Sequence, residues 1–176
     1  IVTRPAWDDY FMRYAYLAAT RATCPRKHVG AIIVDTDHRV ISTGYNGAPA
    51  GVTSCDDARE GCQLVEGHCV RTLHAESNAL DYAGTRLTHN ATLYVTVTPC
   101  WDCAKRIVSG KFLRVVYDEH YESRYGKSAD VCDYLWKAGI EVFRFEPERM
   151  ASFRALLTQL DKDAKDDFDK EAGINA

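Results

Sequence analysis

The chain has 176 residues, of which 46% are hydrophobic and 27% are charged, and its formal net charge is −3. This balance is typical of one soluble domain with an ample core, and no apolar run approaches the ~20 residues of a membrane-spanning helix. The 22 basic residues are outnumbered by 25 acidic ones, which disfavours a nucleic-acid partner because such proteins usually carry a basic face. The first residues lack a secretory pattern, so a cytoplasmic protein is expected.

The first half of the chain predicts a helix, a hairpin and a long loop. Apolar residues recur at helical spacing from Trp7 to Ala22. Two apolar runs, Val29–Thr36 and Val40–Thr43, are joined by the turn-like Asp37-His38, which predicts a β-hairpin. The stretch from Gly44 to Gly67 shows little periodicity, and a loop of this length is usually functional or held by a metal.

The second half alternates between predicted helices and strands. Helices are expected at His74–Gly84, Cys100–Ser109, Ala129–Ala138 and Glu148–Leu160. Strands are expected at Ala91–Val97, Leu113–Tyr117 and Ile140–Phe145. This order predicts an α/β domain with three layers, α/β/α, and a mixed five-stranded sheet. Residues 1–160 are expected to form one domain, and residues 161–176 a charged, frayed tail.

A histidine and two cysteines stand where the second and third predicted helices begin. His74 opens one helix, and Cys100 and Cys103 are three residues apart on one face of the next. One imidazole and two thiolates supply three ligands of a tetrahedral zinc and leave the fourth position for water. Pro99 suits the first turn of a helix, and a helix N-terminus lowers the pKa of a cysteine.

Glu76 lies two residues after His74, where it would contact a metal-bound water rather than the metal. Three protein ligands beside a carboxylate predict a hydrolytic zinc site. One alternative is a structural zinc with an incidental glutamate, for which a fourth protein ligand would be expected. The other alternative is that these cysteines share no metal.

The arrangement H-x-E followed by P-C-x-x-C is the known signature of the zinc-dependent nucleobase deaminases. More specifically, residues 5–146 resemble the dCMP (deoxycytidylate) deaminases of bacteria and phages. The matching segments are Val29-Gly30-Ala31, Gly44-Tyr45-Asn46-Gly47-Ala48-Pro49, His74-Ala75-Glu76-Ser77-Asn78-Ala79 and Thr98-Pro99-Cys100-Trp101-Asp102-Cys103-Ala104-Lys105. The resemblance implies the cytidine deaminase-like fold, which agrees with the three-layer α/β/α arrangement expected from the order of elements.

The resemblance also implies a reaction, the hydrolytic deamination of dCMP to dUMP and ammonia, which supplies thymidylate synthesis. Zinc-bound hydroxide would attack C4 of cytosine, while Glu76 would take the water's proton, protonate N3 and assist the loss of ammonia. By the same resemblance Asn46 would contact the deoxyribose, although an Asn-Gly pair alone is usually just a turn. Ala75, Thr98 and Pro99, in the zinc-ligand motifs, are further candidates for contacts with the substrate.

Phosphate recognition requires cations or N–H groups. In the family, the Gly44-Tyr45-Asn46-Gly47 stretch borders a regulatory site where dCTP activates and dTTP inhibits, and Mg²⁺ is expected with the triphosphate. Arg26 and Lys27 are the candidates for that triphosphate. Arg124, Tyr125 and Lys127 are the candidates for the substrate phosphate. The alternative for each of these cations is a solvated surface charge.

A second group of potential metal ligands lies in and around the long loop: Cys24, Cys55, Cys62, His68 and Cys69. Seven cysteines in a cytoplasmic chain favour metal over disulfides. Some family members hold a second, structural zinc here, and a four-ligand site would stabilise the loop. The spacing does not settle which residues would bind, and the alternative is small buried thiols.

Family members assemble as hexamers, so the resemblance implies a homohexamer. Two other functions stay open. One is a deaminase that acts on tRNA or single-stranded DNA, which would bind a flipped or unpaired base. The other is a non-catalytic binding module stabilised by zinc.

Overall fold

A mixed five-stranded sheet forms the centre of the structure. The structure is a computed structural model, and it describes residues 5–84, 88–122, 126–145, 155 and 158. The strands are β1 (Gly30–Val34), β2 (Val40–Tyr45), β5 (Thr92–Val97), β6 (Arg114–Glu119) and β7 (Glu141–Arg144). They lie in the order β2-β1-β5-β6-β7. β1 is antiparallel to both of its neighbours, whereas β5, β6 and β7 run parallel. A separate two-stranded hairpin, β3 (Leu64–Val65) and β4 (His68–Cys69), lies between β2 and the helix at Ala75–Ala83, so the long loop continues beyond its predicted end at Gly67.

Four helices in the described part of the chain cover the two faces of the sheet: α1 (Trp7–Ala19), α2 (Ala75–Ala83), α3 (Trp101–Ser109) and α4 (Ser128–Lys137). α1 packs on one face, where the buried side chains are Phe11, Met12, Ala15, Tyr16, Ile32, Val34, Tyr94 and Val116. The other three helices pack on the opposite face, where the buried side chains include Ala79, Ala104, Ile107, Leu135, Ile33, Leu93, Val95 and Val115. The expected three-layer α/β/α fold with a mixed five-stranded sheet is therefore confirmed.

Two glycines allow helices to lie very close to the sheet. A Cβ at Gly30 would collide with the carbonyl oxygen of Ala15 in α1. A Cβ at Gly44 would collide with the carbonyl oxygen of Ala75 and lie 2.6 Å from the backbone nitrogen of Ala79 in α2. Only a residue without a side chain fits at such contacts. The close approach at Gly44 sets the distance between β2 and the helix that follows His74.

Element boundaries differ from the predicted ones by a few residues at most. α1 ends at Ala19 rather than Ala22, because the chain tightens into turns in which the N–H of Arg21 bonds to Ala18. β6 extends to Glu119, two residues beyond its predicted end, because it pairs there with Val97. Of the helix predicted at 148–160, the structure describes two residues, 155 and 158, and both are helical. The predicted tail at 161–176 lies outside the described residues.

The loops that matter for chemistry leave the sheet at one edge. β5 and β6 are parallel, so their carboxyl ends lie at the same edge, and the residues after β5 lead directly into α3. Crevices at the carboxyl ends of strands are the usual ligand sites of α/β sheets. Within the described ranges no helix is long and apolar enough to cross a bilayer.

Candidate metal centre and active site

The side chains of His74, Cys100 and Cys103 meet at this edge of the sheet. Nδ1 of His74 is 3.3 Å from Sγ of Cys100 and 3.6 Å from Sγ of Cys103. A nitrogen and a sulfur bound to one tetrahedral zinc, at ~2.1 and ~2.3 Å from it, are about 3.5 Å apart. Both distances from His74 therefore suit one shared zinc, and the structure brings the three predicted ligands together within 4.8 Å of one another.

Two helix N-termini deliver these ligands. His74 is the N-cap residue of α2, and Cys100 is the N-cap residue of α3. Cys103 follows in the first turn of α3 and is buried, whereas Cys100 is half-buried and His74 is exposed. The ligand set is therefore open on the side of His74, as a site that admits substrate requires.

The two thiols at this site differ in acidity. The hydrogen bond with Cys103, followed by the contact with His74, lowers the pKa of Cys100 to about 4. The same bond, together with burial, raises the pKa of Cys103 far above its usual value. The bond to Cys100 raises the pKa of His74 to about 9. One thiolate thus exists before metal binds, and zinc must displace protons from the other two ligands.

Glu76 lies in the first turn of α2 and is 3% exposed. Burial raises the pKa of its carboxyl group to about 7. A carboxyl group that titrates near neutral pH can both accept and return a proton during a reaction cycle. Glu76 also lines the cavity described next, beside His74 and Cys100. Its position suits the proton-transfer role predicted from the sequence.

A cavity of about 690 Å³ contains the candidate active site. Asn46 and Thr98, two of the predicted substrate-binding residues, line it together with the ligands. Ala75 and Pro99 are buried and are not among the lining residues. Ligand pockets typically have volumes of about 300–1,000 Å³, so this one has room for a nucleotide.

The side-chain amide of Asn46 holds the segment between α1 and β1. Its Oδ1 accepts the N–H of Val29 at 2.7 Å, and its Nδ2 donates to the carbonyl of Lys27 at 2.8 Å. A side-chain amide nitrogen carries two hydrogens, so one N–H is left for a ligand in the cavity. Asn46 therefore fixes the cavity wall, a role that its Asn-Gly context in the sequence does not indicate.

The rest of the Gly44-Tyr45-Asn46-Gly47 stretch is bonded to the segment around His74. Gly47 exchanges backbone hydrogen bonds of 3.2 and 2.9 Å with Leu73, the residue before the metal ligand. The side chain of Asn78 in α2 donates to the carbonyl of Tyr45 at 2.8 Å. This stretch thus positions the N-terminus of α2, besides bordering the cavity at Asn46.

Of the five residues predicted as a second group of metal ligands, four cysteines lie together and His68 lies apart from them. Cys24, Cys55, Cys62 and Cys69 have their sulfur atoms within 4.8 Å of one another, and this set is hereafter the four-cysteine cluster. Cys24 and Cys62 are 3.6 Å apart, as are Cys55 and Cys69. Sulfurs on one tetrahedral zinc lie about 3.8 Å apart, so the cluster fits a closed site. His68 is not in the cluster and lines the cavity instead.

The cluster holds reduced thiols of different acidity. All seven cysteines are free, so no disulfide competes with a metal. Burial raises the pKa of Cys24 to about 12. Burial also acts to raise the pKa of Cys69, but a backbone N–H of Arg71 and neighbouring side chains lower it to about 7. A metal bound by all four thiolates would displace the protons that remain on the thiols.

The candidate phosphate ligands lie in different places, and two of them line the cavity. Arg26 and Lys27, predicted to bind a regulatory triphosphate, line the same cavity as Glu76. Lys127 precedes α4, where its backbone N–H faces Asp130, and it does not line the cavity. Arg124 and Tyr125 lie outside the described residues.

Further residues lie around the site beside the predicted ligands. Trp101, Asp102 and Lys105 line the cavity from one side of α3, which a helical plot starting at Cys100 would have indicated. Tyr121 lines it from the chain after β6, in keeping with an aromatic wall for a pyrimidine. The hydroxyl of Ser77 lies 3.7 Å from Sγ of Cys103, and such contacts orient metal ligands.

Comparison with known proteins gives consistent matches. Residues 5–119 match the family described as "Cytidine and deoxycytidylate deaminase zinc-binding region". The chain is 40% identical to ComE operon protein 2 of Bacillus subtilis over 150 residues, covering 84% of this chain and 75% of that protein. It is 44% identical to the deoxycytidylate deaminase of Mycobacterium phage D29 over 126 residues, covering 66% and 97%. The structure of dCMP deaminase from cyanophage S-TIM5, in complex with dCMP and dUMP, is 30% identical, with a TM-score of 0.67 over 81% of this chain and 99% of that one.

Proposed function

The chain belongs to the cytidine and deoxycytidylate deaminase family, and on that premise we propose that it hydrolyses dCMP to dUMP and ammonia. The observation that carries the proposal is the joint placement of His74, Cys100 and the buried Glu76 around one nucleotide-sized cavity. The substrate is inferred from relatives, since the phage D29 protein is named a deoxycytidylate deaminase and the cyanophage protein binds dCMP and dUMP.

In the proposed mechanism, three residues hold the metal and Glu76 transfers the protons. A zinc ion bound by His74, Cys100 and Cys103 would supply an activated water as the nucleophile for C4 of cytosine. Glu76 accepts a proton from that water and delivers it to N3 of the pyrimidine. It then transfers the second proton, from the new hydroxyl on C4, to the exocyclic amine, which leaves as ammonia while the oxygen stays on C4 as a carbonyl. A pKa of about 7 for Glu76 suits both directions of transfer.

Substrate orientation comes from the cavity wall. The N–H of Asn46 that is not bonded to Lys27 is available for a hydroxyl of the deoxyribose. Thr98 lines the cavity, while Ala75 and Pro99 support it from buried positions beside the metal ligands. The side chain of Thr98 is itself held, because its hydroxyl donates to the carbonyl of Glu119 at 3.2 Å. A rigid cavity wall holds the base in a fixed orientation relative to the carboxyl group of Glu76.

The four-cysteine cluster is proposed to hold a second, structural zinc. Its four sulfurs fill a tetrahedral site completely and leave no position for water, in contrast to the open set at His74. The cluster brings together Cys24, which lies between α1 and β1, and three cysteines that lie between β2 and α2. A metal there would fold the loop against the cavity, since Cys24 and Cys69 also line it.

Regulation is proposed on the same resemblance, with dCTP as activator, dTTP as inhibitor, Mg²⁺ bound to the triphosphate and a homohexamer as the assembly. The position of Gly44-Tyr45-Asn46-Gly47 supports a regulatory role. This stretch is bonded both to Leu73, which precedes His74, and to the segment at Lys27. An effector that moved it would act on a metal ligand and on the cavity wall together.

A substrate panel tests the proposal. Zinc-loaded protein is assayed for ammonia release from dCMP, deoxycytidine, cytidine, dCTP and a single-stranded oligonucleotide containing cytosine. We expect turnover of dCMP above all others, raised by dCTP with Mg²⁺ and lowered by dTTP. Turnover of the oligonucleotide alone would identify a polynucleotide deaminase instead. No turnover of any substrate, in protein shown to hold zinc, would contradict deaminase activity.

A further inference from the structure

The four-cysteine cluster contains two close pairs of sulfur atoms. Sγ of Cys24 is 3.6 Å from Sγ of Cys62, and Sγ of Cys55 is 3.6 Å from Sγ of Cys69. A disulfide bond is about 2.05 Å long, so each pair would have to close by only about 1.5 Å to form one. The distances between the sulfurs therefore suit two disulfides as well as one metal.

Each pair combines a buried sulfur with a more accessible one. Cys24 and Cys55 are 3% and 2% exposed, whereas Cys62 and Cys69 are half-buried. Cysteines that sense oxidants are typically accessible to solvent and lie next to a second cysteine that completes the disulfide. Cys69 also lines the cavity, through which a molecule as small as hydrogen peroxide can reach it.

The loop that carries three of the cysteines is also held by bonds that do not involve sulfur. The guanidinium of Arg71 donates to the carbonyl of Thr53 at 3.2 Å and to the carboxylate of Glu60 at 2.7 Å. Beside the β3–β4 hairpin, the N–H of Val70 donates to the carbonyl of Gln63 at 2.8 Å. These bonds keep the sulfurs near one another when a metal leaves, so that the pairs can form disulfides and return to thiols in place.

Peroxide oxidation of each pair is a balanced two-electron reaction. The accessible sulfur attacks one oxygen of hydrogen peroxide, the O–O bond breaks, and the hydroxide that leaves takes a proton from solvent to become water. The buried sulfur then displaces the hydroxyl of the sulfenic acid, which forms the S–S bond and releases the second water. Two peroxides thus oxidise four thiolates to two disulfides, and a zinc ion held by those thiolates loses its ligands.

The four-cysteine cluster should react before the metal site at His74. Four thiolates around a divalent zinc leave a net negative charge, whereas two thiolates and a neutral histidine leave none. Because thiolate sulfur attacks peroxide as a nucleophile, the site with the excess of negative charge reacts faster.

We propose that the four-cysteine cluster is an oxidation site for peroxides, which convert it into the disulfides Cys24–Cys62 and Cys55–Cys69 and release its zinc. Transient, redox-sensing disulfides are the usual kind in cytosolic proteins. Cys24 and Cys69 line the cavity, so closing the two pairs displaces its wall and lowers deamination of dCMP. That loss of activity rests on the function proposed above, whereas the disulfides do not depend on it.

Stepwise oxidation of the zinc-loaded wild-type protein with hydrogen peroxide tests the proposal. The readouts are zinc released to a chromogenic chelator, free thiols counted after denaturation, and disulfide-linked peptides identified by mass spectrometry. Digestion has to include cleavage after Glu66, which separates Cys62 from Cys69. We expect the first zinc to leave with the loss of four thiols, and linked peptides that join Cys24 to Cys62 and Cys55 to Cys69.

The oxidised protein should also lose activity reversibly. A misplacement of about 1 Å in an active site can cost up to about 100-fold in rate, so kcat/KM for dCMP should fall by roughly ten-fold or more. Dithiothreitol with added zinc should restore both the thiols and the activity. Cys132→Ser is the control, because Cys132 is a half-buried cysteine that belongs to neither group of metal ligands, and it should behave as the wild-type protein.

Three results would overturn the proposal. They are a first disulfide between Cys100 and Cys103, zinc release without the two expected linked peptides, and thiols that persist when peroxide is in excess. Linked peptides with unchanged turnover of dCMP would overturn the effect on the cavity. In protein that does not deaminate dCMP, the zinc, thiol and peptide measurements still decide whether the cluster is an oxidation site. The two linked peptides in protein that held no zinc at the cluster would support the disulfides and contradict only the structural metal.

Discussion

The side chain of Asn46 connects two backbone groups on either side of His28, the carbonyl of Lys27 and the N–H of Val29. Asn46 is 8% exposed, so its loss would leave those groups with little access to water. Leaving a buried donor or acceptor unsatisfied typically costs about 1–3 kcal/mol. The same residue lines the cavity, so we expect it to contribute to substrate binding as well as to stability.

Replacing Asn46 with alanine should therefore have two effects. We expect the free energy of unfolding to fall by roughly 1–3 kcal/mol, measured by denaturant titration of the zinc-loaded protein. We also expect KM for dCMP and for deoxycytidine to rise together, because the sugar contact and the shape of the wall are both lost. An unchanged KM in a folded variant would argue against any contact between Asn46 and the substrate.

At the residue scale, the sequence indicates the candidate metal ligands more clearly than it indicates the cavity wall. His74, Cys100 and Cys103 are identifiable because ligand chemistry and helix spacing are local properties. The position of Arg26 in the cavity depends on tertiary contacts made by Cys24 and Asn46, which no local pattern encodes. His68 shows the same limit, since its chemistry suits a metal but the fold directs it to the cavity.

At the scale of elements, the contact between β2 and α2 determines where His74 stands. Gly44 lets the helix approach the strand, and the hydroxyl of Ser42, buried near it on the same strand, donates to the carbonyl of Ala79 at 2.7 Å. The element order predicted the layers correctly because strand and helix periodicities are strong in this chain. It did not predict this close approach, since glycine in a Gly-Tyr-Asn-Gly context is equally consistent with a turn.

The variant Gly44→Ala should destabilise the protein by about 1–3 kcal/mol, because the added methyl group can be accommodated only if α2 moves. The shift should also displace His74 and lower zinc affinity, which competition with a chelator measures. Thr43→Ala is the matched control, since Thr43 is the exposed neighbour on the same strand and should change stability by less than about 0.5 kcal/mol. Equal stability of the two variants would show that the contact is less tight than the structure indicates.

At the scale of the whole molecule, two clusters of candidate metal ligands border one cavity, the four-cysteine cluster through Cys24 and Cys69. The set at His74 is open, and the four-cysteine cluster is closed, so one suits chemistry and the other suits folding. The sequence predicted a second group of ligands but could not choose among five residues. The choice depends on how the long loop folds, and its irregular backbone gives no periodic signal from which to deduce contacts.

We expect the purified protein to hold two zinc ions per chain, and serine variants should separate them. Cys55→Ser should lose one zinc and lower the thermal unfolding temperature, because the metal contributes to folding of the loop. Cys100→Ser should lose the other zinc and abolish deamination with a smaller change in unfolding temperature. The readouts are elemental analysis and thermal unfolding. A single zinc per chain in fully active protein would exclude the structural site.

The measurement that tests the account most directly is ammonia release from dCMP by wild-type and Glu76→Gln proteins of equal zinc content. Glutamine keeps the size of the side chain but cannot accept and return a proton. Because positioned proton transfer typically contributes ~10²–10⁴ in rate, we expect the variant to lose activity by about that factor while dCMP still binds. A variant that retains near-normal turnover with zinc bound would show that Glu76 does not transfer the proton, and the proposed mechanism would be wrong.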